Sequence, residues 1–139
     1  MPTGTCPCDE TTLPTGDVAM VDGTGFDFRT SRPVEGTFDH NFCLADLRRD
    51  IAPVAQLSSP RSRLSMQVST TEPGLQLYTG QGLTGGGSSH GGHGNGAFAG
   101  ICLEPQSWPD APNNASFPSI DLAPGERYQQ VSEFAFSQR

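Results

Sequence analysis

Apolar and polar residues alternate along this chain in short runs, and no window carries the sustained i, i+3, i+4 apolar stripe that would seat a helix. The alternation predicts strands at 5–8, 38–44, 52–58, 63–70, 75–79, 97–103, 119–122 and 128–136, each punctuated by Gly, Pro, Asn or Asp clusters. A short helix has room only near Thr12 or Gly25. Many short strands with turn residues between them read as an all-β, antiparallel, sandwich-like fold.

Composition narrows this without changing it. A chain of 139 residues is expected to form a single domain over 1–139 and to bury about two-thirds of its unfolded surface, provided its apolar faces find partners within it. Hydrophobic residues are 34% of the total, and 17 Gly with 12 Pro break the chain into short pieces. Fifteen acids against 8 bases leave a net charge of −7, which argues against a nucleic-acid partner, since phosphate backbones call for a basic stripe. Arg48-Arg49 and Arg61-Ser62-Arg63 are too short and too scattered to form one and read as solvated faces. No apolar run of membrane-spanning length is present, and the first residues lack the basic region and apolar core of a signal peptide, so no membrane partner and a cytoplasmic location are expected. Cys6, Cys8, Cys43 and Cys102 are scattered through strand-like segments and are expected as free thiols. Cys6 and Cys8 could supply two metal ligands, but Cys43 and Cys102 stand apart from them and from each other, so no metal is expected.

A Gly-rich stretch at about 80–100 is expected as a flexible loop between two strands. His90 and His93 within it invite a metal hypothesis, yet a Gly-rich coil does not aim ligands in fixed directions. No Gly-Lys-Ser or Gly-Lys-Thr follows the glycines, which excludes a P-loop.

Two carboxylates stand out as candidates for chemistry. Glu104 lies in Ile101-Cys102-Leu103-Glu104-Pro105-Gln106-Ser107-Trp108-Pro109, with an apolar lead-in and the only Trp four residues on. Apolar neighbours and a nearby indole can raise a carboxyl pKa from about 4.3 toward neutrality, where a carboxylate serves as a general base; a surface Glu at a strand end is the plainer alternative. Asp39 leads Asp39-His40-Asn41-Phe42-Cys43-Leu44. If it points into a cleft, strand alternation sends Asn41 and Cys43 the same way and His40 and Phe42 the other, which removes His40 as a substitute acid. Phe42, Tyr78 and Trp108 could each wall a site or belong to the core.

The run around Glu104 does not stand alone. Together with Asp9-Glu10-Thr11-Thr12-Leu13-Pro14-Thr15-Gly16, Gly25-Phe26-Asp27-Phe28-Arg29, Asp39-His40-Asn41-Phe42, Ser69-Thr70-Thr71-Glu72-Pro73-Gly74-Leu75-Gln76-Leu77-Tyr78-Thr79-Gly80 and Phe117-Pro118-Ser119, it resembles the C-terminal part of aldose 1-epimerases (galactose mutarotases). The resemblance implies a galactose mutarotase-like β-sandwich that is incomplete, the C-terminal part of a larger supersandwich. It implies interconversion of the α and β anomers of free aldoses such as glucose or galactose, with Glu104 as catalytic base, Asp39 contacting sugar hydroxyls, and no cofactor or metal. The family's two histidines and arginine, which bind the sugar and protonate its ring oxygen, lie in an N-terminal portion without a counterpart here. The chain alone is therefore expected to be weak or inactive, and to self-associate or pair with that missing part. The alternative is a catalytically silent carbohydrate-binding or structural β-domain.

Overall fold

The computed structural model describes residues 4–10, 13–88 and 94–138. In chain order its strands are β1 (Gly4–Thr5), β2 (Ala19–Met20), β3 (Asp39–Cys43), β4 (Ala52–Ser58), β5 (Leu64–Thr70), β6 (Gly74–Tyr78), β7 (Thr84–Ser88), β8 (Gly94–Gly96), β9 (Cys102–Gln106) and β10 (Ser132–Gln138). The one helical turn among the described residues is a 3-10 turn, Ala111–Asn113. No described helix is long and apolar enough to cross a membrane.

The strands form two principal antiparallel sheets, ordered β2-β1-β3-β6-β9 and β10-β5-β4, with a two-stranded ribbon β7-β8 beside them. Both pack against each other through alternate side chains. In β6, Leu75 and Leu77 point away from Gln76. Leu75 joins Leu44 and Val68 in a cluster fringed by Val54, Ala55, Met66 and Leu103, which is where the second sheet meets the first. Leu77, Val21, Phe38 and Phe42 form the adjoining cluster, with Phe26 and Phe28 packed on it. Phe26 meets Phe38 edge-on at 5.8 Å, and Phe28 meets Phe42 at 6.0 Å. Two prolines sit within strands, and both strands are sheet edges, where a missing N–H is tolerated: Pro105 lies in β9, and Pro53 in β4, where the register slips between Pro53 and Ala55.

The second sheet is only half covered. Its β5 row places Val68 in the core, but Phe134 directly opposite Val68 is 43% exposed, Phe136 opposite Met66 is 63% exposed, and Leu64 farther along the row is 45% exposed.

Several expected elements are displaced. Residues 119–122 form no strand; Pro118 and Pro124 flank them, and the Ser119 hydroxyl turns back to accept from the Asp121 amide at 3.1 Å. The strand expected from 128 begins only at Ser132, because Tyr128 is held elsewhere, with its ring under the Arg48 guanidinium at 4.4 Å. The strand expected over 97–103 shifts to Cys102–Gln106, since Phe98 takes a left-handed φ of 61° and its amide bonds Gly80 O instead. Strand 5–8 shortens to Gly4–Thr5, with an isolated bridge from Cys8 to Pro14. The described parts of the Gly-rich stretch, expected as loop, pair as the ribbon β7-β8. No helix forms near Gly25; His90, His93 and Thr12 lie outside the described residues.

Candidate functional site

Three neighbouring strands build a polar face from strand alternation alone. In the register Asp39 lies opposite Tyr78, which lies opposite Cys102; Asn41 opposite Gln76, opposite Glu104; and Cys43 opposite Gly74, opposite Gln106. Because every second residue shares a face, these nine positions line one side of β3-β6-β9. The other side carries His40, Phe42, Leu75, Leu77 and Leu103, the apolar floor described above.

A concavity of about 300 Å³ opens on the polar side, lined by Asp39, Gln76, Tyr78, Glu104, Gln106 and Pro109. The two carboxylates singled out in the sequence thus share one pocket, although they come from strands that do not touch. Two strand spacings across and two residues along put their Cα atoms roughly 12 Å apart, with side chains that lean over the strand between.

Amide side chains tie this floor together. Gln76 Nε2 donates to Asp39 Oδ1 at 2.7 Å, and Gln106 Nε2 donates to Asn41 Oδ1 at 3.2 Å and to Gln76 Oε1 at 3.4 Å. Asn41 is buried beneath them. It fits because Gly74 stands beside it: a Cβ at that position would come within 2.6 Å of Asn41 Oδ1 and 3.0 Å of Gln106 O. Tyr78 holds its rim by accepting the Gly82 amide at 2.9 Å. Asp39 and Glu104 are both solvent-exposed, so each is free to accept hydrogen bonds from a ligand.

Trp108 does not flank Glu104 as the sequence suggested. The chain leaves β9 after Gln106, and the indole turns into a small cluster with Cys6, Cys43, Ala111 and Phe117, donating to Pro73 O at 2.9 Å and meeting Phe117 edge-on at 5.1 Å. The Glu104 side chain is instead exposed to solvent. Phe42 is core on the opposite face, which leaves Tyr78 as the aromatic wall of the pocket. His40 faces away as alternation required, its ring 4.7 Å from Phe26; burial pushes its pKa below the ordinary value, against a raising pull from Asp39. Among the described residues no group of three His, Cys, Asp or Glu gathers as a metal site would need.

Gln76, Gln106 and Pro109 received no role from sequence reasoning. The signal was present for the first of them: the alternation used for Asp39, applied to Gly74-Leu75-Gln76-Leu77-Tyr78, points Gln76 and Tyr78 the same way. What the sequence lacked was the pairing that sets β6 between β3 and β9.

The comparisons with known proteins agree over nearly the whole chain. The family described as aldose 1-epimerase matches residues 3–135. A galactose mutarotase of Bos taurus is 43% identical over 143 residues, covering 94% of this chain and 40% of the relative. An aldose 1-epimerase of Escherichia coli (strain K12) is 33% identical over 144 residues, covering 94% of this chain and 41% of the relative. A crystal structure of an aldose epimerase homologue from C. elegans superimposes with a TM-score of 0.81 at 26% identity, covering 99% of this chain and 44% of that one. The chain thus spans about 40% of the length of the curated relatives it matches.

Proposed function

The chain belongs to the aldose 1-epimerase family, and from that premise we propose that it supplies the base-bearing half of a mutarotase site acting on free aldohexoses such as glucose or galactose. The observation that carries the reading is the convergence of Asp39, Gln76 and Glu104 on one pocket of about 300 Å³, at the small end of the range for small-molecule sites. Glu104 takes the proton of the anomeric hydroxyl. The ring C–O bond then breaks as the ring oxygen is protonated, the C1–C2 bond rotates, and closure on the other face returns the proton. Asp39 accepts hydrogen bonds from sugar hydroxyls while Gln76 holds that carboxylate at 2.7 Å, and Tyr78 offers a face for the sugar's C–H groups.

The acid that protonates the ring oxygen comes, in this reading, from the portion of a family-length protein that this chain does not span. Its arrival would also cover the apolar positions Leu64, Phe134 and Phe136. A cytoplasmic, reducing setting belongs to the same reading, and in it Cys6, Cys8, Cys43 and Cys102 stay free thiols. A second reading, a sugar-binding domain without catalysis, is favoured for the chain alone by the pocket lining itself, which is two carboxylates, two amides, a phenol and a proline.

Polarimetry on freshly dissolved α-glucose separates the two. A family-length version is expected to accelerate mutarotation and the present chain only weakly, while Glu104→Gln in the longer protein, which removes the basic lone pair but keeps the shape, costs about 10² or more in turnover. An undiminished Gln variant would leave Glu104 a structural residue. Full activity of the present chain would mean the acid lies within it.

A further inference from the structure

Beside the pocket, and on its face of the sheet, lies a pair of thiols that the proposed chemistry does not use. Cys43 ends β3, directly across from Gly4, a residue with no side chain to interpose. Cys6, two positions past Gly4 on the neighbouring strand, is paired to β3 through its amide, which donates to Asn41 O at 3.1 Å. The two residues are therefore diagonal neighbours on one face of an antiparallel pair, close enough in such pairs for side chains to meet. Their sulfurs meet at 3.4 Å. Both side chains are buried, against Trp108, Ala111 and Phe117, whereas Cys8 and Cys102 are exposed.

We infer that Cys6 and Cys43 are a redox-active pair that closes to a disulfide when the chain meets a hydroperoxide. Cys6 is the attacking sulfur. Either sulfur can donate across their 3.4 Å contact, but the Asn41 amide donates to Cys6 alone, at 3.5 Å; with Cys43 as the donor, its bond first and that of Asn41 with it outweigh burial and bring the Cys6 pKa down to about 7. Cys43, the donor, is pushed up and keeps its proton. The Cys6 thiolate attacks one peroxide oxygen and the O–O bond breaks, giving Cys6–SOH and hydroxide, which becomes water on taking a proton. The Cys43 sulfur then attacks Cys6, the S–O bond breaks, and the hydroxyl leaves as a second water with the Cys43 proton. Two thiols lose two electrons and two protons, and one hydrogen peroxide gains them.

The fold permits the closure. The sulfurs must approach by about 1.4 Å to reach the roughly 2.05 Å of a disulfide, and β1 is only 2 residues long, flanked by the 2-residue β2, so the movement disturbs few ladder bonds. The bond would tie the N-terminal strand to the one that carries Asp39. It would also replace the thiolate that accepts from Asn41, the amide on which Gln106 rests below the pocket.

The experiment treats the fully reduced, folded chain with a slight excess of hydrogen peroxide, quenches in acid, alkylates and measures the intact mass. The expected product has lost two hydrogens and takes up alkyl groups at two of its four cysteines, Cys8 and Cys102. Cleavage after Arg29 leaves Cys6 and Cys8 on one peptide, so Cys8→Ser serves to assign the bond, and it must still link that peptide to the one holding Cys43. In Cys43→Ser, dimedone should label Cys6. Four alkylatable thiols after treatment, loss of the bond in Cys8→Ser, or a bond that involves Cys102 would each overturn the inference, as would an unlabelled Cys6 in Cys43→Ser. The same treatment in urea is expected to scramble the pairing; undiminished selectivity there would show that the fold does not choose the pair.

Discussion

Removing Arg48 will cost this fold more than neutralising its partner Glu72. Glu72, in the turn between β5 and β6, has a side chain only 1% exposed, whereas that of Arg48 is 34% exposed. Arg48 Nε meets Glu72 Oε1 at 2.9 Å and Nη2 meets Oε2 at 3.4 Å, with a further bond from Nη2 to Ser107 Oγ at 2.9 Å. In Arg48→Met the buried carboxylate keeps only the Ser107 and Tyr128 hydroxyls, each at 3.4 Å, and an uncompensated buried charge of this kind costs about 3–5 kcal/mol. In Glu72→Gln the shape survives, no charge is stranded indoors, and the guanidinium can turn to water. A hydrogen bond to a charged group is worth about 1.5–3 kcal/mol, so after hydration of Arg48 the net loss is about 1–2 kcal/mol. Against a total stability of about 5–15 kcal/mol the difference is easily resolved. Urea unfolding followed by fluorescence of Trp108, the chain's only Trp and buried against Phe117, reads it directly, with an unchanged m-value as the check that both variants unfold from the same state. The double variant should cost less than the two singles together. Glu72→Gln as damaging as Arg48→Met would refute the reasoning, because the burial asymmetry would then not govern the pair.

Gly74→Ala should destabilise by about 1–3 kcal/mol in the same assay, since its Cβ lands 2.6 Å from Asn41 Oδ1; an unchanged midpoint would mean that Asn41 can vacate its place at no cost. His40 makes stability depend on pH in a defined direction. Its pKa is lowered by burial, so the unfolded chain takes up the proton first, and stability falls as pH drops from about 6.5 toward the lower folded value; the slope of urea midpoints over this window should flatten in His40→Leu. The exposed Leu64, Phe134 and Phe136 should make the chain associate as concentration rises, seen by sedimentation velocity and suppressed by Phe136→Lys; a monomer at every concentration would contradict this.

Where the sequence was most readable, a side chain's environment depended on near neighbours. The strands over 52–58 and 63–70 alternate cleanly and are found within a residue of their expected ends. Asp39, Asn41 and Cys43 share a face, opposite His40 and Phe42, for the same local reason. Legibility failed where long-range partners decide. Ser119-Ile120-Asp121-Leu122 has strand composition, but no sheet edge receives it. Tyr128 is β-favourable, yet an arginine eighty positions earlier in the chain claims its ring. Trp108 looked like company for Glu104 because the two are close in sequence; one turn of chain after β9 carries the indole to the thiol cluster instead.

The position of Glu104 has a consequence for how a complete site must assemble. It stands on β9, the last strand of its sheet, while Asp39 and Gln76 stand on strands paired on both sides. The proposed sugar contacts thus stand on inner strands of the sheet and the proposed base on its margin. A base at the margin is supported on one side by β6 and by the hydrogen bond from Gln130 to Pro105 O at 3.1 Å, and its outer side is open to whatever covers that edge. If Glu104 acts on the anomeric hydroxyl as proposed, the acid that acts on the ring oxygen must reach the sugar from beyond the sheet face, since the face itself is occupied by the amide floor. The part of a family-length protein that brings such an acid therefore has to cap this pocket, and capping would exclude solvent from the Glu104 carboxylate. On this argument the apolar environment that the sequence suggested for Glu104 arises between the two portions and not within this one. The exposed Glu104 carboxylate should be less accessible to solvent in the family-length protein than in this chain, read as the extent of carbodiimide labelling under matched conditions, and equal labelling in the two would show that the cap does not dry the site.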